Sequence, residues 1–589
     1  MSEAAGRRWS LAVPGRVPLR AWIAERTGGL VVLAVLIGAG AGIGAVGFRW
    51  LISAVTRVLS GHADYSDAGH AANGLVPWLG PYFVLFAPVV AGLIYGPLVN
   101  KFAPEARGHG VPEVMYAVAE RGGRIAPQVT VVKALASALC IGGGGSVGRE
   151  GPIVQIGSAW GSTIGRLTRI PEARLRVLVA CGAAGGIAAT FNAPLAGPFF
   201  AMELILRDFA ARAFGAVVLS SVTASVIGRA MLGDHPFLDL PKLHIHHAYQ
   251  YLLFALLGLV VGMVGVAFSR LLYLIEDACD WLWRGPEWLR PAIGGLLLGG
   301  LLLVLPQMYG VGYPVMQHAM DGRFGLWLLL ALATGKILAT GLTIGIGGSG
   351  GVFAPSLFIG AMSGTAFGIL ADQLVPGAGS PGLYGLIGMG AAFAGATRAA
   401  ITGIIVLFEL TGEYSIILPL MLAIVLATVV SRRLSGDTIY TFKLTRRGVR
   451  LDHPRRFGGR AVGTVMEPLP EPLPAQTPLE EAARELLLSA NGAAPVIGED
   501  EQYHGCVTAR AVAEALDQEA QRSCLADLAQ HPPTVTADAS LDAALDALVE
   551  VDASGIPVLD EKAHELVGWI THRTVLAALP ETAVATGGR

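Results

Sequence analysis

Long uncharged stretches separated by short clusters of charge dominate the first three quarters of the chain. Gly28 to Phe48 carries no charge and is long enough to cross a bilayer, as is Ala71 to Asn100. Ala248–Ser269, Pro291–Met316 and Ser415–Val430 are further candidate spans, while Gly215–Gly228 and Gly325–Gly335 are shorter and read as tilted or paired segments. Between them lie apolar pieces too short to span alone and interrupted by Gly and Pro: Val111–Val118, Val177–Ala189, Ala193–Leu206, Val352–Ile369 and Leu383–Phe393. A break in a helix frees N–H and C=O groups, and hydrocarbon tolerates that only where protein or a water-filled path satisfies them. The pattern predicts an all-α polytopic membrane domain with many broken, tilted helices, a construction suited to binding ions at membrane depth.

From about Gly459 the pattern changes. Amphipathic helices are expected at Leu479 and Leu541, followed by strands at Ala494–Ile497 and Ile556–Leu559, and then by Gly505–Thr508 and Gly568–Thr571. The two copies lie about 62 residues apart, which predicts a small tandem α/β domain. Charge divides at the same place. Residues 1–454 carry a net +10 and residues 455–589 a net −12, so the basic part is the membrane domain and the acidic part a soluble one. The resulting balance gives no support to nucleic-acid binding. Arginines before residue 27 (Arg7, Arg8, Arg16, Arg20, Arg26) and after the last span (Arg432, Arg433, Arg446, Arg447) place both termini in the cytoplasm, with an even number of crossings.

The chain is 53% hydrophobic, with a mean hydropathy of +0.57. Its five cysteines show neither metal-ligand nor disulfide spacing. No cleavable signal-peptide pattern precedes Arg26. Few lysines beside many arginines and alanines fit a bacterial inner membrane. An intramembrane enzyme would need a nucleophile–base pair or a metal motif such as HExxH, and neither occurs. His244, His246 and His247 fall in a connecting segment.

The membrane part repeats internally. Gly144-Gly145-Ser146 recurs as Gly347-Gly348-Ser349, Gly148 as Gly351, Pro152 as Pro355 and Ile156-Gly157 as Ile359-Gly360. Gly182-Ala183-Ala184 pairs with Gly390-Ala391-Ala392, and Ala193, Gly197, Glu203 and Leu204 with Ala399, Gly403, Glu409 and Leu410. Ordered matches that keep non-glycine residues predict a duplicated domain. Glu203 and Glu409, matched across it, are expected to cap neighbouring backbone.

Three glycine-bearing segments end at a proline and run into apolar helix: Gly108-His109-Gly110-Val111-Pro112, Gly148-Arg149-Glu150-Gly151-Pro152 and Gly351-Val352-Phe353-Ala354-Pro355. Proline belongs in a helix's first turn, so Glu150 is expected at or just before a helix N-terminus. Each such terminus carries about half a positive charge. Several aimed at one point can replace part of an anion's water shell without a full counter-charge, so that the ion binds and still leaves.

These segments, in this order and with these separations, resemble the signature motifs of the CLC family of chloride channels and proton-coupled chloride exchangers. The resemblance runs from about residue 28 to 445, and the tail resembles a tandem pair of CBS domains. It implies a cytoplasmic segment at 1–27, a membrane domain of inverted repeats at 28–445, a linker at 446–458 and CBS domains at about 459–520 and 521–582. It also implies a homodimer with a pore in each subunit. By motif, Glu150 would be the gating glutamate, competing with anions and accepting protons. His109, Gly110, Arg149, Gly151, Val352, Phe353 and Tyr440 would be the anion-binding set, with the Val352 and Phe353 amides at the central site and the Tyr440 hydroxyl donating.

Two positions depart from the family pattern. His109 stands where a serine hydroxyl usually serves the central anion; its imidazole either donates an N–H or points away. Leu204 stands where exchangers carry an internal proton glutamate, and leucine cannot carry a proton. This leans the reading to a passive channel gated by voltage or pH through Glu150, with an H+/Cl− exchanger using another proton route as the alternative. A CBS-regulated divalent-cation channel is the rival from a different class, and the single carboxylate among three electropositive helix starts speaks against it. In the CBS pair, Ala511 and Thr574 occupy the positions where nucleotide-binding members carry an aspartate. Thr508 and Thr571 are the candidate contacts to an adenine nucleotide, against a pair that binds no ligand. No metal or other cofactor is expected.

Overall fold

The computed structural model describes residues 27–233, 247–449, 460–489, 492–498, 503–517, 524–549, 555–560 and 566–578. The expected N-terminal segment up to residue 26, the linker from 450 to 458, and His244 and His246 lie outside them. The chain forms two compact units, residues 1–451 and 452–589.

In the first unit the helices are α1 (Thr27–Ser60), α2 (Phe83–Phe102), α3 (Val111–Glu120), α4 (Gln128–Gly142), α5 (Glu150–Leu167), α6 (Glu172–Phe191), α7 (Ala196–Phe200, continuing as a π-helix Ala201–Leu206) and α8 (Ala211–Leu232). A second series follows: α9 (Gln250–Leu282), α10 (Arg290–Val304), α11 (Tyr313–Met320), α12 (Leu326–Gly345), α13 (Phe353–Leu374), α14 (Pro381–Thr397), α15 (Ala400–Thr411) and α16 (Ile417–Leu434), with the short α17 (Thr441–Arg446) at the end. Among the described residues, 8 helices are long and apolar enough to cross a membrane.

The expected single span Pro291–Met316 is in fact two helices. Gly310 and Gly312 adopt left-handed backbone, φ 63° and 86°, and turn the chain between α10 and α11. Ala71–Asn100 is helical only from Phe83, because Pro77, Pro81 and Gly80 (φ 55°) confine its first part to loop and a 3-10 turn. In the other direction, Val177–Ala189 and Val352–Ile369 are parts of helices of 20 and 22 residues, both long enough to cross. Their glycines do not break them. They sit where helices touch backbone to backbone: a side chain at Gly157 would meet the Gly182 carbonyl, and one at Gly360 would meet that of Gly388. That contact also corrects the repeat register, since Gly182 corresponds to Gly388 and not to Gly390.

The duplication is an inverted pair. Gly148 and Gly351, equivalent in the two repeats, exchange reciprocal hydrogen bonds (Gly148 N–H to Gly351 O, 2.7 Å; Gly351 N–H to Gly148 O, 2.6 Å) in an antiparallel bridge. A residue that pairs antiparallel with its own counterpart marks a local two-fold axis. The same axis relates Lys133, whose ammonium donates to the carbonyls of Ala106 and Gly108 (2.8 Å each), to Lys336, which donates to those of Gly310 and Val311 (3.0 Å each). It also relates the two glutamates expected to cap backbone. Glu203 accepts from the Ile401 and Thr402 amides (3.2 and 2.8 Å) and the Thr402 hydroxyl (2.7 Å), while Glu409 accepts from Leu195 N–H (2.8 Å) and Ala196 N–H (2.6 Å). Each repeat thus satisfies the orphan donors that begin a helix of the other.

In the second unit, two three-stranded sheets have the same topology. β1 (Leu473–Pro474) pairs parallel with β2 (Ala493–Ile497), which pairs antiparallel with β3 (Tyr503–Thr508). β4 (Val535–Thr536), β5 (Gly555–Leu559) and β6 (Leu566–Thr571) repeat the order. The amphipathic helices α18 (Leu479–Leu488) and α19 (Leu541–Val549) supply Ala482 and Leu486, and Ala544 and Leu548, to the two cores.

Candidate functional site

The three proline-headed segments meet. Gly108 donates to the Gly348 carbonyl at 3.0 Å, Gly148 and Gly351 pair as described, and a Cβ on Gly110 would lie 2.7 Å from the Gly151 carbonyl. Only glycine permits backbones this close. The Ser349 hydroxyl accepts from that of Ser137 (2.9 Å) and donates to the Ala106 carbonyl (2.7 Å). Lys133 holds the carbonyls of residues 106 and 108, and those of Gly108, Gly148 and Gly348 are engaged by backbone N–H groups of the facing segments. The N–H groups of His109, Gly110, Val352 and Phe353 make no hydrogen bond among the described residues. Helices α3, α5 and α13 start here, so their positive ends share one region.

Glu150 opens α5 and is 1% exposed. Its Oε1 accepts from the Tyr313 hydroxyl at 2.5 Å and its Oε2 lies 3.4 Å from the Ala354 amide. A carboxylate is therefore seated among helix-start amides, where an anion would compete for the same donors. Arg149 flanks it, its guanidinium 5.3 Å from the Tyr313 ring centre.

Phe353 packs between Phe191 and Phe393, ring centres 5.3 and 4.7 Å away, and is 2% exposed. His109 is 1% exposed, and among the described residues neither ring nitrogen has a hydrogen-bond partner; Tyr273 meets its ring edge-on at 5.9 Å. An imidazole buried without partners is costly unless something small occupies the space beside it.

Tyr440 immediately precedes α17 and is 1% exposed, with no hydrogen bond to its hydroxyl among the described residues. Its position is fixed by neighbours. Tyr273 donates to the Ile439 carbonyl (2.7 Å) and Ile439 N–H to the Ala396 carbonyl (2.9 Å). Arg446 pairs with Asp277 at 2.5 Å, while Lys443 and Arg447 both reach Glu113, at 3.3 and 2.8 Å. That short basic helix is thereby pinned to α9 and α3.

Sequence reasoning missed Tyr313. A signal existed: Gly310-Val311-Gly312-Tyr313-Pro314 repeats Gly108-His109-Gly110-Val111-Pro112 at an offset of 202, and all four glycines have positive φ. Leu204 lies in the π-helical end of α7 and is 7% exposed. Among the described residues no group of His, Cys, Asp and Glu could hold a metal ion.

In the tandem domain, the Thr508 hydroxyl accepts from Ala511 N–H (3.2 Å) and that of Thr571 from Thr574 N–H (3.2 Å). Both candidate nucleotide contacts are helix N-caps. Trp569, fully buried, packs on Ala493 and Cys506; burial raises the Cys506 thiol to about 11.

Residues 91–432 match the family described as voltage gated chloride channel, and residues 462–518 and 525–581 each match the CBS domain. A Vibrio campbellii protein named H(+)/Cl(-) exchange transporter ClcA is 37% identical over 361 residues, 59% of this chain and 76% of its own length. Among solved structures, a slow cyanobacterial Cl-/H+ antiporter superposes with a TM-score of 0.65 at 26% identity, covering 72% of this chain and 99% of its own. A eukaryotic CLC transporter shares the fold, with a TM-score of 0.62 at 22% identity over 92% of this chain and 97% of its own.

Proposed function

The chain belongs to the CLC family of voltage-gated chloride channels and transporters, and from that premise we propose that it moves chloride across a membrane in exchange for protons, with Glu150 as the group for which both ions contend. The observation that carries this reading is the seat of the Glu150 carboxylate. It sits among converging helix starts, bonded to Tyr313 and close to the Ala354 amide. Chloride arriving there displaces the carboxylate, and protonation releases it, because a neutral acid competes poorly for N–H donors. Glu150 and Tyr440, each 1% exposed, bound the path on its two sides. Between them the His109 ring, freed of protein partners, donates one N–H to the anion beside the amides of Gly110, Gly151, Val352 and Phe353. Arg149 supplies positive potential at the outer side.

Exchange is preferred over passive conduction because a relative of 37% identity is named an exchanger. Leu204 favours the second reading, a passive channel, since it cannot relay the proton inward. Reconstitution in liposomes decides between them. An exchanger shows a chloride reversal potential that moves with a pH gradient, and Glu150→Ala abolishes that movement while chloride flux persists. A reversal potential indifferent to pH in the wild type refutes exchange and leaves the channel.

The protein is read as a homodimer in a bacterial inner membrane with both termini cytoplasmic. The CBS pair is read as its regulatory domain. An adenine nucleotide held through the Thr508 or Thr571 hydroxyl would have to compete with a helix cap, and equilibrium dialysis against ATP tests it.

A further inference from the structure

A cavity of about 430 Å³ lies beside Glu150, lined by Arg49 and Ser53 of α1, by Asp64, by Arg149, by Thr190 to Asn192 at the end of α6, and by Tyr313. Tyr313 and Arg149 connect it to the gate: one donates to the Glu150 carboxylate and the other is its neighbour in the chain. The last turns of α6 and α8 meet the second half of α1 at this cavity. With the N-terminus cytoplasmic, that is the outer side.

Arg49 is the unusual member. It lies 22 residues into a membrane helix, with Ser53 one turn further on the same face. Among the described residues no hydrogen bond or ion pair ends on its guanidinium. Arg49 is exposed, whereas the buried cations of this unit are tied down. Lys133 and Lys336 each hold two carbonyls, and Arg290 pairs with Asp280 and donates to the Gly345 carbonyl. The single acid in the lining, Asp64, has one oxygen already engaged by the Ser66 N–H and hydroxyl, at 2.9 and 2.7 Å. The Arg49 guanidinium therefore faces one partly satisfied carboxylate, with Arg149 lining the same recess, whose low-dielectric walls concentrate the field. An ionisable side chain set in a membrane helix and turned to a cavity roomy enough for a hydrated ion marks an ion's route.

We propose that this cavity is an outer holding site for a small monovalent anion, built on Arg49 and Arg149, in which the ion keeps most of its water before it meets Glu150. The site rests on the reading of the chain as an anion transporter. It differs in kind from the junction beyond the gate: there backbone amides replace the ion's water, whereas here two side-chain charges raise its local concentration.

The test is chloride current or flux through wild type, Arg49→Gln and Arg49→Lys in planar bilayers, with chloride varied on one side at a time. Arg49→Gln is expected to raise half-saturating chloride three- to tenfold on the outer side only. The change should shrink as an inert salt shortens the Debye length, and Arg49→Lys should recover most of the affinity. Half-saturation within twofold of wild type in Arg49→Gln, or an equal change from both sides, would overturn the site. If Arg49→Gln does not elute as folded protein, Arg49→Lys decides: outer half-saturation insensitive to added salt in that variant and in wild type overturns it as well. Wild type without saturable chloride flux refutes the transport reading itself, and this site falls with it.

Discussion

Tyr313→Phe removes one oxygen and leaves the ring that lines the outer cavity and faces Arg149. The lost oxygen is the donor to Glu150 Oε1 at 2.5 Å. A hydrogen bond to a charged group contributes about 1.5–3 kcal/mol. Among the described residues, the other donor to this carboxylate from outside its own residue is the Ala354 amide, at a long 3.4 Å, so little can compensate. At about 1.4 kcal/mol per tenfold, the seated carboxylate should lose about tenfold to a hundredfold in its competition with chloride. Chloride measured by titration calorimetry on purified protein at one fixed pH should bind tighter by that factor. The control is a double-mutant cycle: in a Glu150→Ala background there is no carboxylate to hold, and Tyr313→Phe should change affinity less than twofold. Unchanged chloride affinity in Tyr313→Phe, or the same gain with and without Glu150, would refute the latch.

Gly351→Ala should cost at least tenfold in chloride flux, because the added Cβ would stand 2.6 Å from the Gly151 nitrogen and force the paired loops apart; liposome flux with a gel-filtration check on folding measures it. Glu203→Gln and Glu409→Gln should each lower thermal stability by about 1–2 kcal/mol, read as a drop in the midpoint of detergent-solubilised protein, since each turns an amide N–H toward helix-start donors that the carboxylate now satisfies. His109→Ala should weaken chloride binding about tenfold, as expected for one lost donor, and His109→Ser should restore much of it; equal affinities in all three forms would show that the ring does not face the anion.

Much of this protein was legible in the order of its residues. Apolar stretches, glycine-to-proline breaks and the charge divide near residue 455 determined a broken-helix membrane domain followed by a small α/β pair. Glu150 at the head of a helix followed from Pro152 alone, and the capping roles of Glu203 and Glu409 followed from their match across the repeat. These features are local or periodic, and local backbone chemistry decides them. Partnership is not local. Tyr313 reaches a carboxylate 163 positions away, and Arg49 shares a cavity with residues from the far ends of α6 and α8. Gly182 finds Gly157 through a close helix contact that displaces the apparent repeat register by two residues. An apolar periodicity says which face of a helix is buried, never against what. Only the two-fold packing of the repeats, which brings Gly148 to Gly351, decided which amides and side chains meet around Glu150.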